Sequence, residues 1–187
     1  MKVLYVFLVF ILTITSATAQ ESYSVNNETS TILIKGTSSV HDWESNAEEF
    51  TGSAIFTITE GDLQSIENLA FSVNAQSIKS GKRIMDNKTK DALDAKKNPQ
   101  ITFEFLSLEE IKNDTVKVNG NLTMAGVTKE IMLTGAFQIE DDGSILVSGN
   151  QPIDMENYSI QPPTAMMGAL KTGKDVDVEY RINFLKN

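Results

Sequence analysis

The stretch T-V-K-V-N-G-N-L-T-M-A-G-V-T-K-E-I-M-L-T-G-A-F-Q-I, residues 115–139, decides the fold. Val116, Val118, Leu122 and Met124 share one phase, and Ile131, Leu133, Phe137 and Ile139 share another. Apolar side chains recurring at every second residue fall on one face of a β-strand. Ala125-Gly126 parts the two runs, so the segment reads as an antiparallel hairpin of two strands. Asn119-Gly120 is itself a hairpin signal. The alternation keeps its phase through it and turns already flank the run, so it reads as mid-strand.

The same period extends in both directions. Leu69, Phe71, Val73 and Ala75 alternate with polar or small residues, as do Ile101, Phe103 and Phe105. Ile145 and Val147 begin a further strand, and Val176, Val178, Tyr180, Ile182 and Phe184 form the last. Glu60-Gly61-Asp62, Asn113-Asp114 and Asp141-Asp142-Gly143 are turn signals between them. Two runs, Leu63 to Ile78 and Thr115 to Met124, are long enough to span roughly 30 Å or more at about 3.3 Å per residue. One segment breaks the period. Within Ser80 to Asn98, Met85, Thr89, Ala92 and Leu93 lie at helical spacing, and Pro99 ends the helix. The expected fold is all-β: an elongated antiparallel barrel of about eight strands with one inserted helix, a sandwich being the alternative closure.

Composition sets the outer limits. The chain has 187 residues, 41% hydrophobic and 22% charged, which fits one globular domain. Its formal net charge of −9 argues against nucleic acid and against adsorption to anionic lipid by net charge alone. Cysteine is absent and His41 is the single histidine, which removes disulfides, thiol catalysis and multi-histidine metal centres. Asp141-Asp142-Gly143 lacks the spacing of a calcium loop and reads as a hairpin turn. No cofactor or metal is called for.

Residues 1–19 read as a signal peptide. Lys2 precedes a short apolar run from Val3 to Ile14, and Ala17-Thr18-Ala19 offers a small-x-small cleavage site before Gln20. The run is too short to span a bilayer, so no stable membrane anchor is expected. Residues 20–187 then form one periplasmic or secreted domain, and the lack of disulfides fits the periplasm.

Gly120, Gly135 and Gly149 each occupy an apolar phase. They either open a lane for a ligand or permit curvature while an aromatic fills the gap. The candidate ligand-binding residues, taken from the inward phase, are Phe71, Phe103, Phe105, Gly120, Met124, Leu133, Gly135 and Phe137. Met166 and Met167, in the Pro-Pro-Thr-Ala-Met-Met-Gly loop, are read either as a lid or as a loop packed on the core. Between Lys79 and Lys97 lie seven basic residues against three acidic ones. Lys82 and Arg83 are candidates for an anionic headgroup, with a solvated helix face as the plain reading. Ser38, Ser39, His41 and Asp42 could suggest a hydrolase, but adjacent residues of an extended strand point to opposite faces.

With these residues in view, the chain resembles the YceI-like family of exported bacterial proteins, in a Bacteroidetes-type branch. The resemblance rests on S-S-V-H-D-W around His41, N-P-Q-I-T-F at 98–103, V-x-G-x-L-T-x-x-G-V-T-K from Val118 to Lys129, and Asp175-Val176-Asp177-Val178. It implies a lipocalin-like barrel around an isoprenoid lipid, a polyprenyl phosphate or isoprenoid quinone, for storage or transport. Three readings stand: an exported lipid-binding module, free or as a homodimer; a hydrolase using His41; and a structural β-sandwich with a filled core.

Overall fold

The computed structural model describes residues 20–187; the signal-peptide reading falls on residues 1–19, outside the described residues. The strands are β1 (Gln20–Val25), β2 (Thr31–Ser38), β3 (Trp43–Ala47), β4 (Phe50–Thr59), β5 (Asp62–Asn74) and β6 (Ile78–Lys79). After α1 (Arg83–Ala92) come β7 (Gln100–Lys112), β8 (Thr115–Met124), β9 (Val127–Ile139), β10 (Ile145–Asp154), β11 (Thr164–Ala165) and β12 (Leu170–Lys186).

Register reduces these to an eight-strand meander. Along one edge of β12, Arg181 pairs Thr31 of β2 and Lys186 pairs Tyr23 of β1. β1 and β2 are therefore one strand, interrupted at 26–30. β3 with β4 and β5 with β6 are likewise broken strands lying end to end, since β3 pairs β2 and β6 while β4 pairs β1 and β5. Every neighbour is antiparallel, and the last strand pairs the first, closing an eight-strand barrel. That closure excludes the sandwich. Three of the hairpins use two-residue turns with both φ positive, at Glu60-Gly61, Asn113-Asp114 and Ala125-Gly126, the geometry whose twist matches paired strands.

Two sequence expectations shift. The run from Leu63 to Ile78 is not one strand. The Asn74 side chain accepts from the Gln76 amide at 3.0 Å and turns 75–77 into a 3-10 segment before β6. The helix is shorter than Ser80 to Asn98. Gly81 at φ 74° keeps the entry irregular, Asp86 Oδ1 accepts from both the amide and hydroxyl of Ser80, and Asp94 leaves the helix at φ 45°. The two hydrogen bonds hold the Asp86 carboxyl below its usual pKa.

The barrel has two unlike ends. The far end carries the hairpin turns at 60–61, 113–114 and 141–143, together with the start of β1 and the end of β12. There Phe56 meets Tyr23 edge-on at 5.0 Å and Phe184 at 5.3 Å, three buried rings that make a solid floor. The opposite end carries the 39–42 loop, α1, the 125–126 turn and the 155–169 connection.

Candidate ligand-binding site

Above the aromatic floor the barrel interior is hollow. A cavity of about 870 Å³ extends from Phe56, Ile66 and Phe184 up to His41, Lys82, Arg83 and Ile84. Along β8 its lining runs from Val116 to Met124, roughly 26 Å of strand at about 3.3 Å per residue. The walls are Ile, Val, Leu, Met and Phe from all eight strands, with a few polar groups such as Ser45, Thr102, Gln151 and Tyr180. His41, Lys82, Arg83 and Ile84 are exposed, so the cavity reaches solvent at this end. The helical stripe read from the sequence, Met85, Thr89, Ala92 and Leu93, faces the cavity and forms part of its roof. The Lys88 ammonium donates to the Thr164 carbonyl at 2.5 Å, tying α1 to β11 across the opening.

Four aromatic side chains of the wall fill the space over glycines of a neighbouring strand. A Cβ built on Gly36 would enter the Trp43 indole, 2.6 Å from Cε2. One on Gly52 would stand 2.6 Å from Phe71 Cδ2, and one on Gly149 would stand 2.6 Å from Tyr180 Cζ. These three rings are the directly opposite cross-strand partners of their glycines. The fourth, Phe103, crosses diagonally onto Gly120. Absent side chains on one strand therefore let bulky rings fold against the wall. The Tyr180 hydroxyl donates to the Thr134 carbonyl at 3.1 Å, and burial pushes its pKa up to about 12.

The residues named from the sequence divide accordingly. Phe71, Phe103, Met124, Leu133 and Gly135 line the cavity, with Lys82 and Arg83 at its mouth. Gly120 does not, because the Phe103 ring covers it. Phe105 and Phe137 pack into the partly buried layer around the core, outside the lining. The Met167 side chain is wholly exposed and does not line the cavity. Of Met166, the described structure gives the backbone alone. Of the three glycines only Gly135 lines the cavity, and a Cβ there would lie 3.0 Å from Val147 Cγ1, 3.3 Å from the Ser148 carbonyl and 3.5 Å from the Tyr180 hydroxyl.

Trp43, Tyr180, Phe56 and Phe184 line the cavity without having been picked out as site residues. Each sits in an apolar phase, but their role follows from the register that sets a ring against a glycine or stacks the floor. The Ser-His reading finds other partners. Ser38 Oγ donates to the His41 carbonyl at 2.7 Å, and His41 Nδ1 donates to the Asp42 carbonyl at 2.7 Å. The Trp43 indole N–H donates to the Thr37 carbonyl at 3.0 Å. Among the described residues there is no group of three or more acidic or histidine side chains placed to hold a metal, and no helix long and apolar enough to cross a membrane.

A model of the YceI-like domain matches residues 23–184. No functionally curated protein matches the sequence. Among solved structures, BcnA of Burkholderia cenocepacia superposes with a TM-score of 0.72 at 15% identity, over 85% of this chain and 98% of that one. A polyisoprenoid-binding domain from Saccharophagus degradans, implicated in plant cell wall breakdown, gives 0.70 at 15% identity, over 89% and 99%. The Campylobacter jejuni YceI protein gives 0.62 at 23% identity, over 76% and 84%.

Proposed function

As the chain belongs to the YceI-like family, we propose that it is an exported binding protein that encloses a long isoprenoid lipid, a polyprenyl phosphate or an isoprenoid quinone, for storage or transport. The observation that carries this reading is the cavity of about 870 Å³, apolar along its walls, closed by aromatic rings at one end and reaching solvent beside Lys82 and Arg83 at the other. A slender apolar chain fits such a shape. Each methylene it moves out of water contributes about 0.8 kcal/mol. A polar or anionic head left at the mouth would meet the cationic side chains rather than the apolar wall. The polyisoprenoid-binding domain of similar fold lends the ligand class. Residues 1–19 have the make-up of an export signal. The hydrogen bonds of Ser38 and His41 run to backbone carbonyls, which favours binding over hydrolysis.

One mass-spectrometric experiment tests both parts. The protein is expressed at full length in a Gram-negative host and recovered from the periplasm. Its intact mass is expected to begin at Gln20, and organic extraction is expected to release an isoprenoid. An uncleaved cytoplasmic chain would overturn the export reading. Absence of extractable lipid together with no uptake of any offered polyprenyl compound would overturn the ligand reading.

A further inference from the structure

The three most exposed large apolar side chains among the described residues are Val40 at 62%, Ile84 at 76% and Met167 at 108%. All three sit on the mouth end of the barrel, on three separate segments. Hydrogen bonds hold those segments into one rim. The Ser39 amide donates to the Lys171 carbonyl at 2.9 Å, and the Lys171 amide donates to Ser39 Oγ at 3.1 Å, which joins the Val40 loop to the start of β12. The Lys88–Thr164 bond joins α1, which carries Ile84, to the segment that leads into Met167. Met167 occupies left-handed backbone at φ 53°, an unfavourable conformation for a methionine, and packing does not offset it because the side chain is fully exposed.

Charge follows the same axis. The segment 79–98 has seven basic residues against three acidic. Lys82 and Arg83 immediately precede Ile84, are exposed, and form no ion pair among the described residues, while Ser80 engages Asp86. The far-end turns carry Glu60, Asp62, Asp114, Glu140, Asp141 and Asp142. The net charge of −9 therefore conceals an uneven distribution: the closed end is acidic, while at the mouth the basic 79–98 segment stands beside Asp42 of the Val40 loop and beside Glu44 and Glu48, which share a surface pocket with Arg83. Apolar side chains ringed by cations are the features that hold peripheral proteins at an anionic bilayer interface.

We propose that the mouth rim docks reversibly on the surface of a bilayer containing anionic phospholipid, with Val40, Ile84 and Met167 entering the interface and Lys82 and Arg83 at the headgroups. Ile84 also lines the cavity, so docking in this orientation sets the opening against the membrane. The proposal goes beyond the ligand reading and is tested without any isoprenoid. Mature protein is co-sedimented with vesicles of phosphatidylcholine alone and of phosphatidylcholine with phosphatidylglycerol, at low and high salt. Binding is expected only to the anionic vesicles and is expected to weaken with salt. The double variant Ile84→Asp/Met167→Asp should bind about tenfold more weakly or worse, and Lys82→Glu/Arg83→Glu should lose the salt-sensitive part. Leu106→Asp, on the outer wall, should bind as the parent does. Circular dichroism confirms that each variant is folded. No binding, equal binding to both vesicle types, or equal loss in the folded Leu106→Asp variant would overturn the proposal.

Discussion

Gly135 and Gly149 face each other across β9 and β10, yet the structure uses them differently. At Gly149 the Tyr180 ring already occupies the missing side chain's space; at Gly135 the space opens to the cavity. Gly135→Leu should therefore place the end of its side chain in the lumen, cut polyprenyl uptake by at least about tenfold, and lower the ligand-free thermal midpoint only slightly, because its Cβ, 3.0 Å from Val147 Cγ1 and 3.3 Å from the Ser148 carbonyl, needs a small shift of Val147. Gly149→Leu should instead drive into Tyr180 and lower the midpoint, since overpacking costs roughly 1–3 kcal/mol. Thermal melts with and without ligand separate the two. Equal destabilisation by both would show that Gly135 also serves the wall. The difference was not legible in the sequence, where all three glycines hold the same inward phase. Which of them is covered depends on cross-strand register, and register follows from bulges and broken strands that the alternation alone does not reveal.

At the scale of elements, α1 is the part read most directly: its apolar stripe at i, i+4, i+7 and i+8 faces the cavity, as the helical period requires. Its ends were less legible, because Gly81 and Asp94 end the helix through backbone conformation. Nor could the sequence show that Lys88, 76 residues from Thr164, bridges the opening with a hydrogen bond. No buried residue belongs to α1 itself; it is held by the Ser80–Asp86 hydrogen bonds, by Ala92 and the buried Leu93 and Ala95 at its end, and by the Lys88 bond. Lys88→Ala should loosen the roof without unfolding the barrel. A solvent-accessible charge-assisted bond contributes about 1 kcal/mol, which corresponds to roughly a fivefold faster release of a fluorescent polyprenyl analogue into acceptor vesicles. Unchanged release would mean that the ligand leaves by a path that does not move α1.

Over the whole molecule, the closed end and the mouth answer to different chemistry. The mouth gathers exposed apolar and basic side chains, while the closed end packs Tyr23, Phe56 and Phe184 against one another. Tyr23 is almost fully buried there, and its hydroxyl donates to Glu21 at 3.1 Å, a carboxylate that also pairs Lys186 at 2.5 Å. Burial first, and then Glu21, raise the Tyr23 hydroxyl pKa from the ordinary 10 to about 12. Between those values the unfolded chain loses this proton while the folded barrel keeps it. The folded state then binds more protons, so stability falls as pH rises through that window and is intact below it. Tyr180, raised to about 12 by burial at the cavity wall, acts in the same sense. The thermal midpoint should therefore hold steady up to about pH 9 and fall from about pH 10 upward. Tyr23→Phe keeps the edge-on ring contact with Phe56 and removes the ionisable group. Its midpoint at neutral pH should lie close to the parent's, since a single hydrogen bond contributes about 1 kcal/mol, and its alkaline decline should be shallower. Tyr180→Phe should reduce the decline further, leaving Tyr158, whose hydroxyl pKa burial also pushes up, and lysine pairs such as Lys174–Asp154 as the remaining sources. An alkaline slope unchanged in Tyr23→Phe would place the loss outside the aromatic floor and would mean that the closed end opens to water before its tyrosine ionises.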